Sequence, residues 1–186
     1  MNKNKIFTCT MLLFASFAAS AADKMVSTKT HVRFFSTTPI ENIEANNYAS
    51  MSTYNIKTGE GVAVVPIQSF EFEKTLMQEH FNGAQYMNSK EFPNAKIKGK
   101  LTNLKAINFK KDGTYPVTIT GEMTIKGKTK PVTQSGIVEV KGKVVTVTGK
   151  FFITLADYGI LVGSSSPTSK IADKVEVSVL AIYQLE

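Results

Sequence analysis

Residues 115–125 read Tyr-Pro-Val-Thr-Ile-Thr-Gly-Glu-Met-Thr-Ile. Tyr115, Val117, Ile119, Gly121, Met123 and Ile125 share one face, and Thr118, Thr120, Glu122 and Thr124 share the other. A period of two sustained this long marks a β-strand with one buried and one solvated face. The same alternation returns in Val145, Val147, Gly149, Phe151, Ile153 and Leu155, and again in Val175, Val177, Val179, Ala181, Tyr183 and Leu185. Strands with one wet face belong to antiparallel sheets.

Turn chemistry separates such runs. Thr58-Gly59, Asp112-Gly113, Lys126-Gly127-Lys128 and Lys141-Gly142-Lys143 each put glycine where a tight reversal needs positive φ. These breaks predict eight strands, near Met25–Ser36, Asn47–Ile56, Gly61–Ser69, Ala95–Lys105, Thr114–Ile125, Lys130–Val140, Val144–Leu155 and Lys174–Leu185. Eight antiparallel strands close into a barrel that either fills with side chains or holds one small ligand. The fold class expected is all-β, an eight-stranded antiparallel barrel. Between the third and fourth strands, Glu73–Phe81 places Leu76, Met77, His80 and Phe81 at helical spacing, with Gly83 to end the turn, so a short helix is inserted there. The stretch Tyr86–Pro93 reads as a structured loop over one mouth of the barrel. Thr38–Asn46 and Gly163–Ala172 read as irregular loops.

Four strands carry a glycine between larger inward residues: Ile97-x-Gly99-x-Leu101, Ile119-x-Gly121-x-Met123, Gln134-x-Gly136-x-Val138 and Val147-x-Gly149-x-Phe151. Two readings stand side by side. Glycine relieves strain where a small barrel bends, or it leaves room for an elongated apolar ligand. Twelve phenylalanines and seven methionines without tryptophan supply deformable apolar contacts, which suit a flexible chain.

The N-terminus sets the compartment. Lys3 and Lys5 precede an apolar run from Ile6 to Ala18, then Ala19-Ser20-Ala21, the pattern of a cleavable export signal covering residues 1–21. The run is shorter than the roughly 20 apolar residues that a membrane-spanning helix needs. Cys9, the only cysteine, falls inside this signal, so the domain over residues 22–186 has neither a disulfide nor a thiol nucleophile. Net charge is +7, or +5 without Lys3 and Lys5, and lysine supplies it, since Arg33 is the only arginine. Nucleic-acid recognition draws on arginine's planar fork, so this composition reads as a solvated basic surface.

Catalytic chemistry has little to work with. His31 falls beside Lys29 and Arg33 on the wet face of the first strand, where a solvated histidine is the default. His80 lies among apolar neighbours near the mouth, either a structural group or a partner for a ligand headgroup. Ser164-Ser165-Ser166 lacks a nucleophile elbow. No catalytic residue, metal ligand or cofactor is expected.

Three ordered stretches carry a resemblance. His80-Phe81, Tyr86 and Phe92-Pro93-Asn94-Ala95-Lys96-Ile97 come first, Gly121 to Val132 next, and Asp157-Tyr158-Gly159-Ile160 last. Together they resemble the YceI-like family of periplasmic polyisoprenoid-binding proteins over nearly the whole mature chain. The resemblance implies a periplasmic, lipocalin-like barrel whose long cavity holds an isoprenoid or other long-chain lipid. It also suggests a homodimer. Met77 and Gln78 stand where the family usually has an Arg-Asp pair, and Leu155-Ala156 replaces a basic or hydroxylated residue before the Asp-Phe-Gly run. The polar part of the pocket therefore departs from the family pattern. The ligand site expected from periodicity and resemblance comprises Phe72, Leu76, Met77, His80, Phe81, Tyr86, Phe92, Ile97, Ile119, Gly121, Met123, Gly136, Val138, Phe151 and Tyr158. Nucleic acid and a membrane span are not expected. The competing reading is a structural or stress-related envelope protein with a solid barrel and no ligand.

Overall fold

In the computed structural model, which describes residues 23–160 and 171–185, ten strands form one antiparallel sheet that closes on itself. They are β1 (Lys24–Thr37), β2 (Asn42–Asn47), β3 (Met51–Asn55), β4 (Glu60–Pro66), β5 (Phe70–Phe72), β6 (Asn94–Leu101), β7 (Gly113–Ile125), β8 (Lys128–Lys141), β9 (Val144–Thr154) and β10 (Lys174–Gln184). Pairing of β10 with β1 closes the ring. One edge of β1 is shared, because Lys24–Val26 pairs with β3 and Val32–Thr37 pairs with β2. In the same way β4 pairs with β3 and β5 with β2. The second and third staves are thus each broken once, and the barrel has the eight strand positions that the sequence predicts.

The break corrects one expectation. Thr38–Asn46 is not a loop throughout, since Asn42–Asn47 forms β2. Its composition reads as turn, but Ala45 and Asn47 are fully buried on its inner face. Asn47 is buried because every polar atom of its amide finds a use. Its Nδ2 donates to Pro66 O at 2.7 Å, and its Oδ1 accepts from Ala49 N at 3.1 Å and Ser50 Oγ at 2.8 Å. This one side chain stitches both broken staves where they change direction. Two other boundaries move: β4 stops at Pro66 before a 3-10 turn at Ile67–Ser69, and β6 stops at Leu101, leaving Lys105 in a 3-10 turn at Leu104–Ala106. The export signal and most of Gly163–Ala172 lie outside the described residues.

The inserted helix α1 spans Thr75–Asn82, between the third and fourth staves, and ends at Gly83 as its sequence predicts. It has no side-chain cap at its N-terminus and no fully buried residue. Eight residues are too few to hold a helix in water alone, so packing must hold it. The β7–β8 hairpin turns on Lys126 (φ 48°) and Gly127 (φ 72°), the two positive φ angles of a type I′ turn. Buried side chains gather in two clusters, one at each end of the barrel. Val32, Phe70, Met87, Met123, Ile125 and Val175 belong to the cluster beside α1. Met25, Leu101, Val117, Val138, Val145 and Tyr183 belong to the other.

Outside, Arg33 contacts Glu44 at 2.6 Å and Glu176 at 3.8 Å, and Lys150 contacts Glu176 at 2.9 Å, a charge ladder across four strands. His31 is on this outer face, as predicted, but it is not simply solvated: it hydrogen-bonds Asn46 Oδ1 at 2.9 Å and stacks on Tyr48 with ring centroids 4.5 Å apart. Among the described residues, no helix is long and apolar enough to cross a membrane.

Candidate ligand cavity

Between the two clusters the barrel is hollow. A cavity of about 630 Å³ runs through it, lined by inward residues of every stave, a volume within the roughly 300–1,000 Å³ of small-molecule sites. Along β10 the lining extends from Val175 to Tyr183, about 27 Å of strand at roughly 3.4 Å per residue. The space is therefore elongated. Its middle is walled by Ile97, Ile119, Val147 and Val179, side chains that fill the interior only in part.

The mouth lies at the α1 end. Phe34 of β1, Phe70 and Phe72 of β5, and Phe81 of α1 form a cluster with ring centroids 5.1 to 5.7 Å apart, and all four line the cavity. Phe81 anchors the helix through this cluster. Gln78 adds a tie, its Oε1 accepting from Phe72 N at 3.4 Å. Lys74, just before the helix, reaches across the rim to Glu41 at 3.0 Å, and both residues line the opening. The Glu41 carboxylate raises the pKa of Lys74 above the usual lysine value, chiefly through this hydrogen bond.

Most of the expected site residues meet here. Phe72, Leu76, Met77, His80, Phe81, Tyr86, Ile97, Ile119, Met123, Gly136, Val138 and Phe151 all line the cavity. Leu76 and His80 do so from the rim, where they are exposed, so His80 is not embedded among apolar groups as its spacing implies. Three residues fall elsewhere. Phe92 packs on the turn at Gly127, where a Cβ would come within 2.7 Å of its ring. Tyr158 is buried in the cluster near α1, in a 3-10 turn closed by Gly159 at φ 70°, and does not reach the cavity. Gly121 is absent from the lining because the neighbouring strand occupies its space: a Cβ there would overlap Lys98 O and lie 2.5 Å from Gly99 Cα. At Gly149, in contrast, the nearest atom to an added Cβ is Ser135 O at 3.8 Å.

Sequence reasoning missed a hydroxyl group cluster at the far end. Thr30 Oγ1 and Ser52 Oγ are 3.2 Å apart, and Ser52 Oγ and Tyr183 Oη are 2.7 Å apart, all buried. Tyr54 Oη is buried nearby with no hydrogen-bond partner. The signal was there in the parity of β3, since Ser52 and Tyr54 alternate inward together, but short polar strands have no apolar stripe to fix their facing. Burial pushes the pKa of both phenols up. Among the described residues there is no group of three or more His, Cys, Asp or Glu placed to hold a metal ion.

The profile of the YceI-like domain matches residues 15–182. A polyisoprenoid-binding domain from Saccharophagus degradans, described as implicated in plant cell wall breakdown, superimposes with a TM-score of 0.73 at 11% identity, covering 89% of this chain and 99% of that one. BcnA of Burkholderia cenocepacia gives 0.67 at 19% identity, covering 82% and 95%. A YceI protein of Campylobacter jejuni gives 0.63 at 15% identity, covering 81% and 90%. No curated protein sequence matches the chain. At these identities the solved structures speak to the fold, while the domain match extends over most of the sequence, and on that ground the chain belongs to the YceI-like domain family.

Proposed function

We propose that the protein is a non-enzymatic binding protein of the periplasm that holds one long-chain apolar amphiphile, a polyisoprenoid or related lipid, inside its barrel. One observation carries this reading: the elongated cavity of about 630 Å³, walled mainly by apolar side chains, valine, isoleucine and phenylalanine foremost. Enclosing a flexible apolar chain there removes its surface from water at roughly 25 cal/mol per Å², and the deformable lining fits more than one chain length. A Saccharophagus degradans neighbour of the same fold is described as polyisoprenoid-binding, which supports the ligand class. The export signal read at residues 1–21 supports the compartment. Leu76, Met77 and His80 at the rim are where a headgroup would rest, with Lys74 free to exchange Glu41 for an anionic one.

Native mass spectrometry of protein purified from the envelope of its own host tests the reading. A nonpolar passenger that leaves on organic extraction, and a mass that starts at Ala22, are expected. Extracted protein that takes up no long-chain probe would favour the solid structural barrel instead.

A further inference from the structure

The middle of the cavity wall is broken by a polar side chain. Along β8 the inward set runs Val132, Gln134, Gly136, Val138 and Val140, so Gln134 interrupts an apolar stripe between Val132 of the cluster beside α1 and Val138 of the far cluster. Gln134 lines the cavity and stands opposite Ile119 of β7, which walls its middle. Directly opposed residues of antiparallel strands share a face, so the Gln134 side chain is turned inward with that of Ile119. Beside it the wall lacks side chains. The register of β8 with β9 ends at Gly136 and Gly149, although β8 reaches back to Lys128 and β9 runs on to Thr154. Among the described residues the Gln134 carboxamide makes no hydrogen bond, and neither of its polar atoms is closed off as Tyr54 Oη is, so the amide is open to whatever fills the hollow. A carboxamide has two N–H donors and a carbonyl acceptor. Turned unpaired into an apolar space it is costly, and methionine of similar length would fill the place without that cost.

We propose that Gln134 is a specificity residue whose Nε2 donates a hydrogen bond to an uncharged oxygen acceptor carried part-way along the bound chain. This inference rests on the ligand-binding reading above and goes beyond it, because it places a polar contact at mid-chain, away from the headgroup at the rim. The surroundings select a neutral group. Of the titratable residues on the lining, Glu41, Lys74 and His80 stand at the mouth, and Lys96 is exposed on the outer alternation of β6. A carboxylate or phosphate beside Gln134 would be buried without a cation next to it, which is prohibitive. A pure hydrocarbon leaves the amide without a partner. A carbonyl oxygen at that level satisfies the amide while both arms of the chain stay against valine, isoleucine and phenylalanine.

The test compares three probes of equal length on the extracted, full mature protein: an unbranched long-chain ketone with its carbonyl at mid-chain, the isomeric methyl ketone, and the alkane, each displacing a fluorescent fatty chain. A mid-chain carbonyl stays at the level of Gln134 whichever end of the probe enters first. The wild type is expected to prefer the mid-chain ketone to both other probes about fivefold, the size of one neutral hydrogen bond. In Gln134→Met the ratio of ketone to alkane affinity falls to about one, with the strand content in circular dichroism retained. The carbonyl stretch of the bound mid-chain ketone lies below its frequency in hydrocarbon solvent in the wild type and returns to that frequency in the variant. Equal binding of mid-chain ketone and alkane by the wild type, a stronger preference for the methyl ketone, or a preference that survives in Gln134→Met overturns the assignment while leaving the carrier reading intact. Should the variant not fold, the wild-type spectrum decides alone, since a carbonyl stretch at the hydrocarbon value means that no donor reaches it. Failure of the wild type to bind any of the chains overturns the carrier reading itself.

Discussion

Two seams of the barrel look alike in sequence and behave differently in space. Across β6 and β7, Gly99 faces Gly121; across β8 and β9, Gly136 faces Gly149. At the first seam the backbones approach so closely that a Cβ on Gly121 would overlap Lys98 O, and one on Gly99 would sit 2.7 Å from the Ile119 side chain. Gly61 of β4 pairs with Gly99, so the glycine row crosses three neighbouring strands. At the second seam Gly136 is close to Thr148 O, at 2.8 Å, but Gly149 faces open cavity. The two seams thus differ in what stands beside their glycines, a neighbouring backbone at one and open space at the other. Close approach of β6 excludes a side chain at Gly121, whereas Gly149 borders empty volume.

Substitution at the two seams should separate these roles. The largest effect is expected for Gly121→Leu, which cannot be accommodated without moving β6 and should cost 4 kcal/mol or more, about the upper range for single substitutions. Chemical denaturation would show it as a collapsed midpoint, and a folded variant of wild-type stability would undo the close-approach argument. Gly136→Ala is intermediate: Thr148 O must give way, at a cost of about 1–3 kcal/mol, with the strand content in circular dichroism retained. Gly149→Leu should leave stability within about 1 kcal/mol of wild type while reducing affinity for a long-chain fluorescent probe at least tenfold, because its side chain takes cavity volume. Unchanged probe affinity in this folded variant would show that the chain lies elsewhere. Gly149→Ala is the mildest change and should stabilise by up to about 0.5–1 kcal/mol, since alanine gives up less backbone freedom than glycine in a strand.

How legible each region was follows from the same physics. β7, β8 and β9 are long, joined by tight turns and wet on one face, so alternation alone gives their facing and nearly their ends. The broken staves hide their nature. Asn-Ile-Glu-Ala-Asn-Asn at β2 has the composition of a turn, and its burial depends on Asn47 finding partners from Pro66 to Ser50, contacts that no local pattern reports. The apolar cavity wall was legible because wall residues are the inward set of regular strands. The buried hydroxyl cluster was not, because serine, threonine and tyrosine at alternate positions read equally well as an outer face. Phe92 and Tyr158 do not reach the cavity: Phe92 packs on the turn at Gly127, and Tyr158 is buried in the turn closed by Gly159.

The helix over the mouth brings a kinetic consequence. With no buried residue, no side-chain cap and one aromatic anchor, α1 should open locally at a free energy far below that of global unfolding. Its amides should exchange with deuterium in a separate, fast class, while the doubly paired amides of β7 and β8 exchange only when the whole barrel opens. On the carrier reading proposed above, a passenger would then come and go through the fraying of eight residues, and its residence time would be decoupled from the lifetime of the fold.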